Sequence, residues 1–132
     1  MKKALEFLQE CGTYYLATTE GDQPRVRPFG GVFEYEGKLY FTTGNTKSCF
    51  KQMIENPKVE ISGMDKTGQW IRLTGEVAND ERREVKELAL ETLPSLKNIY
   101  SIDDGIFSVM YFTKGTATIA SFTAQPETFS LY

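Results

Sequence analysis

The sequence predicts a mainly β protein, with six or seven strands and three short helical pieces forming one small barrel-like domain. Three observations carry this. Short runs rich in Val, Ile, Thr, Tyr and Phe recur along the chain, several with apolar residues at alternate positions. Turn chemistry built on Gly, Pro, Asn and Asp separates them. The chain of 132 residues is 40% apolar and 25% charged, the size and balance of a single globular domain spanning residues 1–132.

The elements follow in order. Residues 3–10 read as a short helix, with Leu5 and Leu8 three apart and Ala4 beside them. "TYYLATTE" (13–20) is a strand and "GDQP" (21–24) a turn. "RVRPFGGVFEYEGKLYFTT" (25–43) reads as two strands, with a hairpin at Glu36-Gly37 between "GVFEY" and "KLYFTT". Pro28 and Gly30-Gly31 fit a regular central ladder badly, so a bulge or close approach is expected there. A helix over 46–55 halts at Asn56-Pro57, and its Phe50, Met53 and Ile54 fall at i, i+3 and i+4 as a buried face.

A strand at 58–63, a turn at 65–68 and the long strand "QWIRLTGEVA" come next, with Ile71 and Leu73 alternating against Trp70 and Arg72. "DERREVKELALETL" (80–93) is an amphipathic helix whose apolar face is Val85, Leu88 and Ala89, with Thr92 at its margin; Pro94 interrupts it. Residues 106–122 read as two strands joined near Thr113-Lys114-Gly115. The tail "TAQPETFSLY" is expected to be loose or docked on a partner.

Composition then narrows the chemistry. The absence of histidine removes Ser-His-Asp and Cys-His catalysis, the HExxH zinc motif and the usual haem ligand. Cys11 and Cys49 form no CxxC pair and read as small buried hydrophobes, so no metal site is expected. The net charge of −3 weighs against nucleic-acid binding. No apolar run is long enough to span a membrane, and Glu6, Gln9 and Glu10 interrupt any signal-peptide core, so a cytoplasmic protein is expected. No side chain stands out as a catalytic acid, base or nucleophile. Any chemistry here rests on a bound organic group or on lysine, arginine and carboxylates.

Three stretches concentrate cationic and aromatic residues. Alternation puts Arg25, Arg27 and Phe29 on one strand face, either as a solvent-facing edge or as guanidiniums meeting an anion. In the 46–55 helix, Lys47 and Lys51 are four apart, as are Ser48 and Gln52, which places all four off the apolar face. With Asn45 or Thr46 as N-cap, this helix start is either an ordinary capped surface helix or a phosphate site, although it is neither a Walker loop nor a GxGxxG. Lysine in a first turn opposes the helix dipole, a conflict that a bound anion relieves. Trp70 and Arg72 stand opposite the core face, where a Trp packs under a loop, in an interface, or against a flavin or base. Base stacking on Phe29, Tyr35, Tyr40 and Trp70, as in a barrel that binds single strands, is a competing reading that the acidic balance disfavours.

Taken together, "YYLATTEGDQPRVRPFG", "GKLYFTTGNTKSCFKQMIENPKVEI", "WIRLTGEV" and "VMYFTKGTATIASF" resemble the pyridoxamine 5′-phosphate oxidase-like family of FMN-binding split β-barrels. The resemblance implies a six-stranded split barrel working as a homodimer, with flavin sites at the interface. It implies that Arg25, Arg27, Pro28 and Phe29 line the isoalloxazine and phosphate side. Phe41, Thr42 and Thr43 would border the ring and ribityl chain. Lys47, Ser48, Lys51 and Gln52 would hold the phosphate, and Trp70 and Arg72 would reach the flavin of the other subunit. The implied activity is FMN-dependent oxidoreduction of a small-molecule substrate or electron acceptor, with a non-catalytic flavin-binding module as the alternative. Deazaflavin is a weaker cofactor candidate than FMN, and the lack of histidine argues against haem. The chain lacks the histidine of the full oxidases and is more similar to small general-stress or nitroimidazole-resistance-type relatives.

Overall fold

The computed structural model describes all residues, Met1–Tyr132. Eight strands make one antiparallel sheet, six of them long and two short. Helix α1 (Lys2–Cys11) leads into the hairpin of β1 (Thr13–Glu20) and β2 (Gln23–Gly30). Every residue of this hairpin is in register, from Thr13 opposite Gly30 to Glu20 opposite Gln23. Of the expected bulge or close approach, no bulge forms at Pro28, because β2 is a sheet edge where the missing N–H costs no ladder bond. A close approach does occur at Gly31, where a Cβ would lie 2.9 Å from Leu93 Cδ1. The break comes one residue after the strand, at Gly31, whose φ of 84° suits glycine.

The short β3 (Phe33–Tyr35) and β4 (Lys38–Gly44) form the next hairpin, and α2 (Ser48–Glu55) leads to β5 (Lys58–Met64) and β6 (Trp70–Asp80). Stretch 25–43 thus holds three strands rather than two. Helix α3 (Arg83–Thr92) ends in a 3-10 turn at Pro94–Asn98, and β7 (Phe107–Ala120) follows. The sheet order is β2-β1-β5-β6-β7-β4-β3, and β8 (Glu127–Ser130) also pairs with β7.

Two expectations for the C-terminal part are corrected. Residues 107–120 form a single strand, not a hairpin. At Thr113-Lys114-Gly115 the register against β6 shifts by one residue, so the glycine signal marks a bulge instead of a turn. Gly75 lies opposite Gly115, and a Cβ on Gly75 would stand 2.3 Å from the Lys114 carbonyl oxygen. The tail is docked on its own chain: Leu131 is buried, and Tyr132 Oη accepts from Leu39 N at 2.9 Å and donates to Phe112 O at 2.7 Å.

The sheet curls around an apolar core that includes Leu16, Phe41, Ile61, Ile71, Leu73 and Phe112, with Ala4 and Leu8 of α1 and Met53 of α2 closing it. Edge strand β2 meets β4 through side chains, not through a ladder: the Phe29 and Phe41 rings lie 5.8 Å apart, edge to face. This unladdered seam is the split in the barrel. Outside the barrel, Val85, Ala89 and Leu90 of α3 pack on Phe33, Tyr40, Phe107 and Val109. Leu90 replaces the expected Thr92, which is exposed. Helix α2 is likewise rotated from expectation. Cys49, Gln52 and Met53 are its buried residues, while Ile54 is 54% exposed. No helix is long and apolar enough to cross a membrane.

Candidate functional site

A cleft of about 250 Å³ opens on this seam, lined by Pro28, Phe29 and Gly30 of β2, Thr42 of β4, Lys47, and Leu96, Ile99 and Tyr100. Four of the candidate residues therefore meet: Pro28, Phe29, Thr42 and Lys47. The fold brings them together because β2 and β4, remote in sheet order, face each other across the split. Thr42 is 6% exposed, and its hydroxyl makes no hydrogen bond within the chain.

Ser48 begins α2 at the cleft margin. Lys47, with extended backbone, takes the N-cap position expected of Asn45 or Thr46, and no side chain caps the helix. Asn45 is engaged elsewhere, its amide Nδ2 donating to Gly105 O at 2.9 Å. The first-turn N–H groups of α2 are thus left without a side-chain acceptor, which suits an anion.

Arg27 reaches inward from β2. Its Nη1 donates to Leu16 O at 3.1 Å and Thr18 Oγ1 at 2.8 Å, and its Nη2 donates to Gln52 Oε1 at 3.0 Å. All three acceptors are neutral, so no carboxylate pairs with this guanidinium. Gln52 is 6% exposed and does not share an outer polar face with Lys47 and Lys51. Its Oε1 also accepts from Thr18 Oγ1, and its Nε2 donates to Glu20 at 3.3 Å. Gln52 thereby acts as a brace for Arg27.

The remaining candidates separate. Arg25 shares the inward strand face but pairs with Glu20 at 2.9 Å, and hydrogen bonds from Arg25, with its charge and a bond from Gln52, hold the Glu20 carboxyl below its usual range. Of the candidate cations Arg25, Arg27, Lys47, Lys51 and Arg72, only Arg25 is in an ion pair. Phe41 is fully buried, and Thr43 points inward to Cys49, Oγ1 to Sγ at 3.7 Å. Lys51 lines a separate shallow depression with Asn45, Phe50, Ile54 and Glu55. Trp70 and Arg72 stand on the outer face of β6, far along the sheet, where the Trp70 ring lies 5.1 Å from that of Phe122.

Sequence reading missed the far wall of the cleft. Tyr100 is held by its N–H donating to Leu96 O at 2.8 Å and by its ring, 5.1 Å from that of Phe107. Leu96 and Ile99 extend this wall from the 3-10 turn. The available signal was an aromatic residue amid the polar "NIYSIDDG", just after a helix-ending proline.

The comparisons agree with this architecture. The family model described as pyridoxamine 5′-phosphate oxidase matches residues 1–99. A NimC/NimA family protein from Clostridium acetobutylicum is 78% identical, with a TM-score of 0.97, covering 98% of this chain and 91% of its own. Two more distant structures share the fold alone. A heme-binding protein from Mycobacterium smegmatis is 15% identical, with a TM-score of 0.76 over 97% of this chain and 57% of its own. A FAD-binding protein from Mesorhizobium loti is 15% identical, with a TM-score of 0.65 over 91% of this chain and 94% of its own. No curated protein matches the chain. With a family model covering residues 1–99 and a relative of 78% identity along nearly its whole length, this chain belongs to the pyridoxamine 5′-phosphate oxidase family.

Proposed function

We propose that this protein binds FMN at the seam cleft and serves as a flavin-dependent oxidoreductase acting on a small molecule. One observation carries the reading: an uncapped helix start with Lys47 adjoins an apolar cleft, and the nearby Arg27 meets only neutral acceptors. Unpaired N–H groups and the unpaired Lys47 suit a phosphate, and the walls of Pro28 and Phe29 suit a flat ring. The residues present fit the cofactor. When bound, the flavin supplies hydride or electron transfer. The chain's part is to grip the phosphate with the α2 start and Lys47, seat the ring on Phe29, and exclude water with the apolar turn. FMN is preferred to haem because the chain offers no histidine ligand.

The site is proposed to be completed by a second copy. The cleft, at about 250 Å³, is smaller than the roughly 300–1,000 Å³ of whole ligand sites. The outer sheet face exposes Tyr15 at 49%, Val26 at 67% and Met64 at 58%, and Phe122, stacked on Trp70, is 91% exposed. Large apolar side chains exposed on one side of a sheet suit an interface. A homodimer docked there would bring Trp70 and Arg72 to a neighbour's flavin. Cys11 and Cys49 are unpaired, in keeping with a reducing cytoplasm.

The purified protein is expected to be yellow, or to take up FMN on titration, and to run as a dimer by light scattering. A colourless protein that takes up neither FMN nor deazaflavin sinks the cofactor assignment. Reduction of the bound flavin by NAD(P)H, followed by reoxidation with a nitro or quinone acceptor, separates an enzyme from a flavin-binding module.

A further inference from the structure

Tyr100 has the environment of a ligand-binding residue, and two independent features single it out. First, its hydroxyl makes no hydrogen bond within the chain, whereas the polar groups around it are engaged: Asn45 with Gly105, Thr43 with Cys49, and Ser108 with Ile106. Thr42, 6% exposed and lining the same cleft, likewise has a hydroxyl with no hydrogen bond within the chain. Both hydroxyls are thus free to meet a polar group of whatever occupies the cleft.

Second, β4 ends on a glycine that makes room for this phenol. A Cβ at Gly44 would lie 3.0 Å from Tyr100 Oη and 3.3 Å from its Cε1. Gly44 has ordinary backbone angles, so no turn requires a glycine there. The glycine instead lets Tyr100, which lines the cleft, pack its ring edge and hydroxyl close against the end of β4.

Building on the flavin reading above, we propose that Tyr100 and Thr42 hydrogen-bond the polar edge of the flat ring seated on Phe29, with Ile99 and Leu96 closing over its apolar part. The phosphate end is then held separately, at Lys47 and the α2 start. The ring and the phosphate are read by different residues on different elements.

FMN and riboflavin titrations of the full-length protein test this, because riboflavin has the same ring without the phosphate. Tyr100→Phe, which removes only the unpartnered hydroxyl, is expected to keep the melting temperature of the ligand-free protein. It should weaken both flavins by the same factor, about three- to tenfold. Gly44→Ala, which displaces the Tyr100 ring, should weaken both as well. Lys47→Ala should weaken FMN and leave riboflavin unchanged. Riboflavin affinity within twofold of wild type in Tyr100→Phe overturns the assignment of Tyr100 while leaving the flavin site standing. Wild-type protein that binds neither flavin overturns both. A loss confined to FMN in Tyr100→Phe also overturns it, by moving the phenol to the phosphate end.

Discussion

Arg27 and Gln52 tie edge strand β2 to helix α2: Nη2 of the arginine donates to Oε1 of the glutamine at 3.0 Å. Gln52→Ala removes that acceptor and the partner of Thr18 Oγ1 together. The cost is expected to be about 1–3 kcal/mol in urea unfolding, since Gln52 is buried. FMN affinity should fall with it, because Arg27 loses its brace. An unchanged unfolding midpoint would show that water replaces the amide.

The two lysines of the α2 region should behave differently. Lys47 lines the cleft, whereas Lys51 lines another depression. Lys47→Ala is expected to weaken FMN by about tenfold, the scale of a lost charge-assisted hydrogen bond. Lys51→Ala should stay within about twofold, and neither change should move stability by more than about 0.5 kcal/mol. Fluorescence titration with FMN measures both; equal losses would extend the phosphate grip along the helix.

Tyr132 seals the sheet at its far end. Tyr132→Phe leaves Leu39 N–H and Phe112 C=O without their shared, part-buried hydroxyl. A loss of about 1–3 kcal/mol is expected in urea unfolding. Flavin binding should survive, because Tyr132 lines a different cleft from the seam. A Tyr132→Phe protein as stable as wild type would mean that the tail adds no strength to the fold.

Acid should weaken the protein through Asp80. Hydrogen bonds from Arg82 hold its carboxyl below the ordinary range, against the opposing effect of burial, and Tyr40 Oη adds another at 2.7 Å. A depressed folded-state pKa stabilises above the unfolded value of about 3.9 and loses that contribution as pH falls below it. Melting temperature should therefore drop with acidification below about pH 4. Asp80→Asn should start lower at neutral pH and show a shallower acid limb. Parallel acid limbs in the two proteins would assign the acid sensitivity to other carboxylates.

Legibility tracked whether a signal was local. Ile71 and Leu73 alternate against Trp70 and Arg72 in the sequence as they do in β6, because strand side chains alternate whatever the partner strand. Arg25, Arg27 and Phe29 share a face for the same reason. Glycine signals were less certain. The stretch Thr113-Lys114-Gly115 carries turn chemistry, but Gly75 waits opposite and turns it into a bulge. Helix rotation was also misjudged: Phe50, Met53 and Ile54 make a sound apolar stripe, yet Gln52 is buried and Ile54 exposed. The reason is tertiary. Arg27 and Thr18 supply polar partners that make the glutamine's burial favourable.

By itself, the sequence determined the β character, the order of the long strands along the chain, and the cationic start of α2. These follow from side-chain periodicity and turn residues, which act over a few positions. Only the tertiary structure decided which candidates share a site. The sheet curl sets Phe29 against Phe41 and opens the cleft, and the turn after α3 supplies Tyr100 from about fifty residues beyond Lys47. The same curl leaves Trp70 and Arg72 on the outer face. Such meetings depend on how β2 and β4 close without a ladder, which no local pattern encodes.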